Sequence, residues 1–216
     1  MSAPRIRAAR PEDVPFLAWV VLAASRSHVE RGAWDLTVEG RDDDERLAFL
    51  ERMLTAERPH WCHRDGFLIA EVDGEPAAAL SGYGVDDAAL LDPGEAIALC
   101  SRASGWSEER LAAAFRRLSA FMGCLPEDEP GAWIVEWVAT RPEHRRRGLV
   151  QALLGEILER GRQRGHATSQ IMILSGNVSA QRAYERAGFR YVDERRSAVF
   201  QAATGSPGLL RMLRPL

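Results

Sequence analysis

Apolar residues recur along this chain with two periods, one near 3.6 residues and one near 2, and the segments they mark alternate. Val14, Leu17, Ala18, Val21 and Leu22 fall at i, i+3, i+4, i+7 and i+8, one face of a helix. Pro11 opens that helix where a missing N–H costs nothing, and Pro15 sets regular helix from its own position onward. Asp42, Asp43 and Asp44 suit the positive end of a second helix, whose buried face is Leu47, Leu50, Met53 and Leu54. With a short strand at the start, the first 65 residues read as one strand and two helices. Residues 67–72 and 77–83 then flank Asp73-Gly74, a strong hairpin signal.

Residues 85–130 are less regular. Ser107 has the chemistry of an N-cap, and Leu111, Ala114, Phe115, Leu118 and Met122 form a stripe behind it. A stripe that size is expected to wall a pocket or to lie against the core or a second subunit. Pro126 and Pro130 mark a loop. Beyond it, 133–140 is a β-run ended by Pro142. The helix after Gly148 carries Val150, Leu153, Leu154, Ile157 and Leu158 on one face and stops at Gly165. Residues 170–174 form a buried strand, and a short helix from about Ser179 presents Ala180, Ala183, Tyr184 and Ala187 before Gly188. Late strands follow at 189–193 and 209–213. This order predicts an α/β fold, a mixed sheet with a parallel pair inside it and helices covering its faces. No linker or repeat interrupts the chain, so one domain over 1–216 is expected.

Composition narrows the function classes. A net charge of −3 offers no global basic field for nucleic acid. The longest apolar run, residues 16–24, is far short of the ~20 residues a membrane span needs. Residues 1–10 lack the apolar stretch of a signal peptide. Three scattered cysteines, Cys62, Cys100 and Cys124, make no disulfide framework. A soluble, cytoplasmic protein is the expectation. Every basic residue other than histidine is arginine, so the chain has no lysine for Schiff-base chemistry. His60, Cys62 and His63 stand close together but lack a second ligand pair, so they read as an ordinary loop and no metal is expected.

One turn carries chemistry. Arg145, Arg146 and Arg147 precede Gly148, Leu149 and Val150, where a strand feeds a helix. A helix N-terminus carries unpaired N–H groups and partial positive charge, a glycine admits a phosphate close to the backbone, and arginines add to the field. No nucleotide-hydrolysis or dinucleotide fingerprint accompanies it. The stretch 134–164 resembles the main coenzyme A-binding motif of GNAT acetyltransferases, Gln/Arg-x-x-Gly-x-Gly/Ala. Arg145 and Gly148 fill the first two positions, and Val150 puts a branched side chain where the family has Gly or Ala. Residues 177–189 resemble the family's later motif, in which Asn177, Ala180 and Tyr184 precede Gly188-Phe189. The family resemblance covers most of the chain, and 85–130 is longer than the family's link between its third and fourth strands, so an extended helical insertion is expected there.

The resemblance implies a donor, acetyl-coenzyme A, and an amine acceptor, either a small molecule or a protein N-terminus. Nucleic acid and membranes are not implied as partners; a homodimer is an open arrangement. It also implies roles. Glu136, a charge among apolar neighbours, takes the acceptor side as base or anchor. Val138, Ala139 and Thr140 offer backbone to the pantetheine arm. Arg145 to Val150 hold the pyrophosphate, Asn177 and Ala180 border the cofactor arm, and Tyr184 protonates the departing thiolate. A non-catalytic acyl-coenzyme A sensor or scaffold is the alternative.

Overall fold

The two periods become a sheet with both faces covered. In the computed structural model, which describes residues 4–40 and 42–216, seven strands run β1 (Arg5–Ala8), β2 (Phe67–Val72), β3 (Glu75–Gly84), β4 (Trp133–Thr140), β5 (Thr168–Leu174), β6 (Arg190–Arg196) and β7 (Gly208–Pro215). Their spatial order is β1-β2-β3-β4-β5-β7-β6. Among the described residues β4 and β5 form the parallel pair, and the other neighbours are antiparallel. Residues 1–3, part of the segment 1–10 considered above for a signal peptide, lie outside the described residues.

Successive strand residues serve opposite faces. Phe67, Ile69 and Ala79 pack with α1 (Val14–Arg26) and α3 (Asp44–Leu54) through Leu17, Val21, Leu50 and Met53. Leu68, Ala70, Ala78 and Leu80 turn the other way, onto Leu153, Leu154, Ile157 and Leu158 of α6 (Leu149–Gln163). Each of the larger side chains here (Leu, Ile, Val, Phe, Met), fully buried, stabilises the fold by roughly 1.5–3 kcal/mol. The β2–β3 turn has Asp73 at φ 53° and Gly74 at φ 86°, both left-handed as a type I′ hairpin requires.

Three helices escape the periodicity. Both α2 (Ala33–Thr37) and α8 (Ala198–Thr204) are too short to show a repeat. The third, α4 (Pro93–Ala103), is capped by Asp92, whose side chain accepts from the N–H groups of Gly94 and Glu95. It precedes α5 (Glu108–Met122), so two helices connect β3 to β4. Ser107 caps α5 as expected, accepting from Arg110 N–H. The α5 stripe is narrower than predicted: Leu111, Ala114 and Leu118 are buried, whereas Phe115 and Met122 are 37% and 50% exposed. No described helix is long and apolar enough to cross a membrane.

Candidate active site

The sheet is open at its middle. Past Val135, β4 and β5 no longer pair: their register covers Trp133–Ser169, Ile134–Gln170 and Val135–Ile171 only. The cause lies on β4's other edge. Ala79 pairs with Ala139 and Ser81 with Glu136, so Trp137 and Val138 both stand opposite Leu80, a bulge that bends the strand. Trp137 sits at φ 54°, an uncommon conformation for a bulky residue and a local strain of order 1–3 kcal/mol. β4 beyond the bulge therefore has a bare edge of backbone N–H and C=O groups. A cleft of about 1150 Å³ runs along that edge.

Every residue that the motifs nominate lines this cleft: Glu136, then Val138, Ala139 and Thr140, the turn from Arg145 to Val150, and Asn177, Ala180 and Tyr184. At one mouth is the turn. Arg146 at φ 60° and Gly148 at φ 78° swing the chain into α6, and Arg147 Nη1 lies 2.9 Å from His144 Nδ1. Val150 is half-buried and packs partly against the α6-side core as well as lining the cleft. Gln151 donates to Ala183 O at 2.7 Å, fastening α6 to α7 (Val178–Arg186) beside the opening. A Cβ at Gly148 would meet no protein atom within 4 Å. Gly148→Leu should thus weaken coenzyme A binding roughly tenfold or more, by filling space a phosphate needs. Gly165→Leu is the control, since Gly165 has φ 88° and equally open surroundings. Titration calorimetry of both variants separates the phosphate effect from backbone strain.

Glu136 lines the cleft from the β4 residue just before the bulge. Its Oε2 is buried without a hydrogen-bond partner. Burial, and then the charge of Asp128, push its carboxyl up to about 8, and interaction with the Tyr83 hydroxyl offsets this only in part. Asp128 is itself raised, by burial first, although Gln170 Nε2 donates to it. Trp137 Nε1, Thr140 Oγ1 and Trp34 Nε1 are likewise buried and unpartnered. Such atoms are normally satisfied, so their gathering along one cleft points to a polar ligand there.

Tyr184, 6% exposed, reaches the same cleft from α7. Burial alone pushes its hydroxyl well above the ordinary phenol value, so it is protonated at neutral pH. Asn177 is engaged within the protein: its Oδ1 accepts from Ala180 N–H, and its Nδ2 donates to Ser27 Oγ at 2.6 Å. The His60 ring is a structural brace, with Nε2 2.9 Å from Met53 O and Nδ1 accepting from Cys62 N–H; burial lowers its pKa to about 4. Sequence reasoning missed Tyr83, Asp128, Trp34 and Trp61, which join the site only through tertiary packing.

A sheet opened beside a basic glycine turn, with a buried carboxyl on the opened strand itself, suits acyl transfer. The profile of the Acetyltransferase (GNAT) family matches residues 34–189, and the chain belongs to that family. Comparison with curated protein sequences gave no match. Among solved structures, an N-acetyltransferase from Staphylococcus aureus Mu50 is 19% identical with a TM-score of 0.66, over 97% of this chain and 99% of that one. A polyamine N-acetyltransferase from Drosophila melanogaster is 17% identical with a TM-score of 0.59, over 99% and 100%. A ribosomal-protein-alanine N-acetyltransferase from Brucella melitensis is 19% identical with a TM-score of 0.54, over 98% and 99%. At these identities the likeness is one of fold.

Proposed function

We propose that this chain, as one domain, transfers an acetyl group from acetyl-coenzyme A to a primary amine by direct attack in a ternary complex, in the cytoplasm and without a metal. The observation that carries this reading is the bare edge of β4 between the arginine–glycine turn and Glu136, whose Oε2 is buried without a partner. An extended pantetheine arm fits that edge as an extra strand would, pairing with backbone of Val138 to Thr140. The turn then lies at the pyrophosphate and Glu136 at the acceptor. The amine arrives as an ammonium and gives its proton to the Glu136 carboxylate. Its nitrogen attacks the thioester carbon, the C–N bond forms, and a backbone N–H of β4 stabilises the oxyanion. The C–S bond breaks, the Tyr184 hydroxyl protonates the sulfur, the second proton of the attacking nitrogen restores the phenol, and Glu136 gives up its proton to solvent.

Acetyl-coenzyme A should raise the melting temperature by mass action. A hundredfold excess over Kd is worth about 2.7 kcal/mol, or roughly 5–11 °C for a chain this size. A thermal melt with and without the donor, repeated with chelator, checks it. No shift at saturating donor contradicts the binding claim.

A further inference from the structure

We infer that the acceptor is a primary amine with an aromatic, apolar body and no carboxylate, its ammonium at Glu136 among Trp34, Trp61 and Trp137. This rests on the acetyl-transfer reading and narrows it to a substrate class.

The first observation is the indole cluster on the acceptor side. Trp34 stacks on Trp61 with centroids 6.3 Å apart and planes 13° from parallel. Trp137, projected from the bulge next to Glu136, lies 6.0 Å from Trp34. All three line the cleft. Indole faces attract cations and indole edges pack on other rings, so the cluster suits an ammonium joined to an aryl group.

The second observation is the distribution of charge. Glu136 and Asp128 both line this side, and Tyr83 lies in the field of both carboxylates. The arginines lining the cleft are Arg145, Arg146, Arg147 and Arg186, from the glycine turn and α7. Arg211 acts on Asp128 from β7, but it is held by Asp193 at 2.7 Å and Glu129 at 3.5 Å and does not line the cleft. An amino-acid acceptor would bring its carboxylate beside two acids, where the described residues offer the indole N–H groups of Trp34 and Trp137 but no cation to receive it.

The third observation is the wall that α4 and α5 supply. Ile97, Leu118, Phe121 and Met122 line the cleft there. Met122, half-exposed and left over from the α5 core stripe, thereby gains a place. A polyamine would strand its distal ammonium on this apolar surface, whereas an aryl or alkyl body is buried by it.

Two arms test the inference. In the first, kcat/KM is measured with acetyl-coenzyme A for 2-phenylethylamine, tryptamine, phenylalanine, tryptophan, spermidine and a peptide with a free N-terminus. The arylalkylamines should exceed their carboxylate-bearing counterparts by roughly 100-fold or more, the scale of like-charge juxtaposition at a desolvated site. Equal or faster turnover of the amino acids, spermidine or the peptide overturns it. In the second, phenyltrimethylammonium, which has no N–H to acetylate, is titrated against tryptophan fluorescence. Saturable quenching is expected, weakened about 3–30-fold in Trp61→Leu and largely kept in Trp61→Phe. No saturable quenching, or equal binding in Trp61→Leu, overturns the pocket assignment. Trp61-dependent binding without acetylation of any amine supports the pocket and counts against acetyl transfer; turnover confined to another amine class does the reverse.

Discussion

Tyr184→Phe is expected to lower kcat by roughly 10²–10⁴-fold, the usual range for a positioned proton donor. The KM for acetyl-coenzyme A should stay close to that of the parent, because the ring that shapes the cleft remains. The phenol is raised by burial alone, with no charged partner to draw off its proton. A thiolate released into the same low-dielectric space also gains proton affinity, which keeps transfer from the phenol feasible. Phenylalanine preserves the T-shaped contact with Phe189, whose centroid lies 6.2 Å away, so the variant should melt near the parent. Steady-state kinetics with a matched melting curve decides it. Unchanged kcat with the true acceptor removes Tyr184 from the chemistry.

Glu136→Gln should act on the other substrate. Loss of a positioned base costs roughly 10²–10⁴-fold in rate, and here it falls mainly on kcat/KM for the amine. With its carboxyl raised to about 8, the parent gains the base form as pH rises, so its acceptor kcat/KM should climb through that value. The variant lacks this inflection and recovers partly at higher pH, where free amine accumulates; Tyr184→Phe shows no such recovery. Stability gives an independent reading with the sign fixed by linkage. Glu136 binds its proton more tightly folded than unfolded, where the ordinary value is 4.5. Its contribution is therefore full below pH 4.5 and is lost as pH rises through about 8. Between pH 5 and pH 9 the parent should lose more melting temperature than Glu136→Gln. Equal losses would mean that the carboxyl is not held protonated by the fold.

Much of the scaffold was legible because local rules sufficed. Asp73-Gly74 supplies two left-handed residues between apolar runs, Ser107 caps α5, and Gly165 at φ 88° ends α6. Helix α4 was legible in principle, from Asp92 before Pro93, but its polar face is broken by apolar Leu99, so the period is weak. Residue-level reading nominated the glycine turn and marked Glu136 as a charge among apolar neighbours; the resemblance gave Glu136 its role and added Tyr184 and Asn177. The acceptor wall was different. Trp34, Trp61, Tyr83, Asp128 and Trp137 come from five segments and share no local pattern. The bulge at Trp137 is opaque to propensity, since tryptophan is among the last residues expected at positive φ.

The most direct test of acyl transfer in a ternary complex is an initial-rate study. Thiol release and acetylated amine are followed together while acetyl-coenzyme A and 2-phenylethylamine, or the best amine of the panel, are varied. Equal amounts of both products and intersecting double-reciprocal lines are predicted. Parallel lines, thiol release that does not depend on amine, or tight donor binding with no acetylated product for any amine would contradict the account.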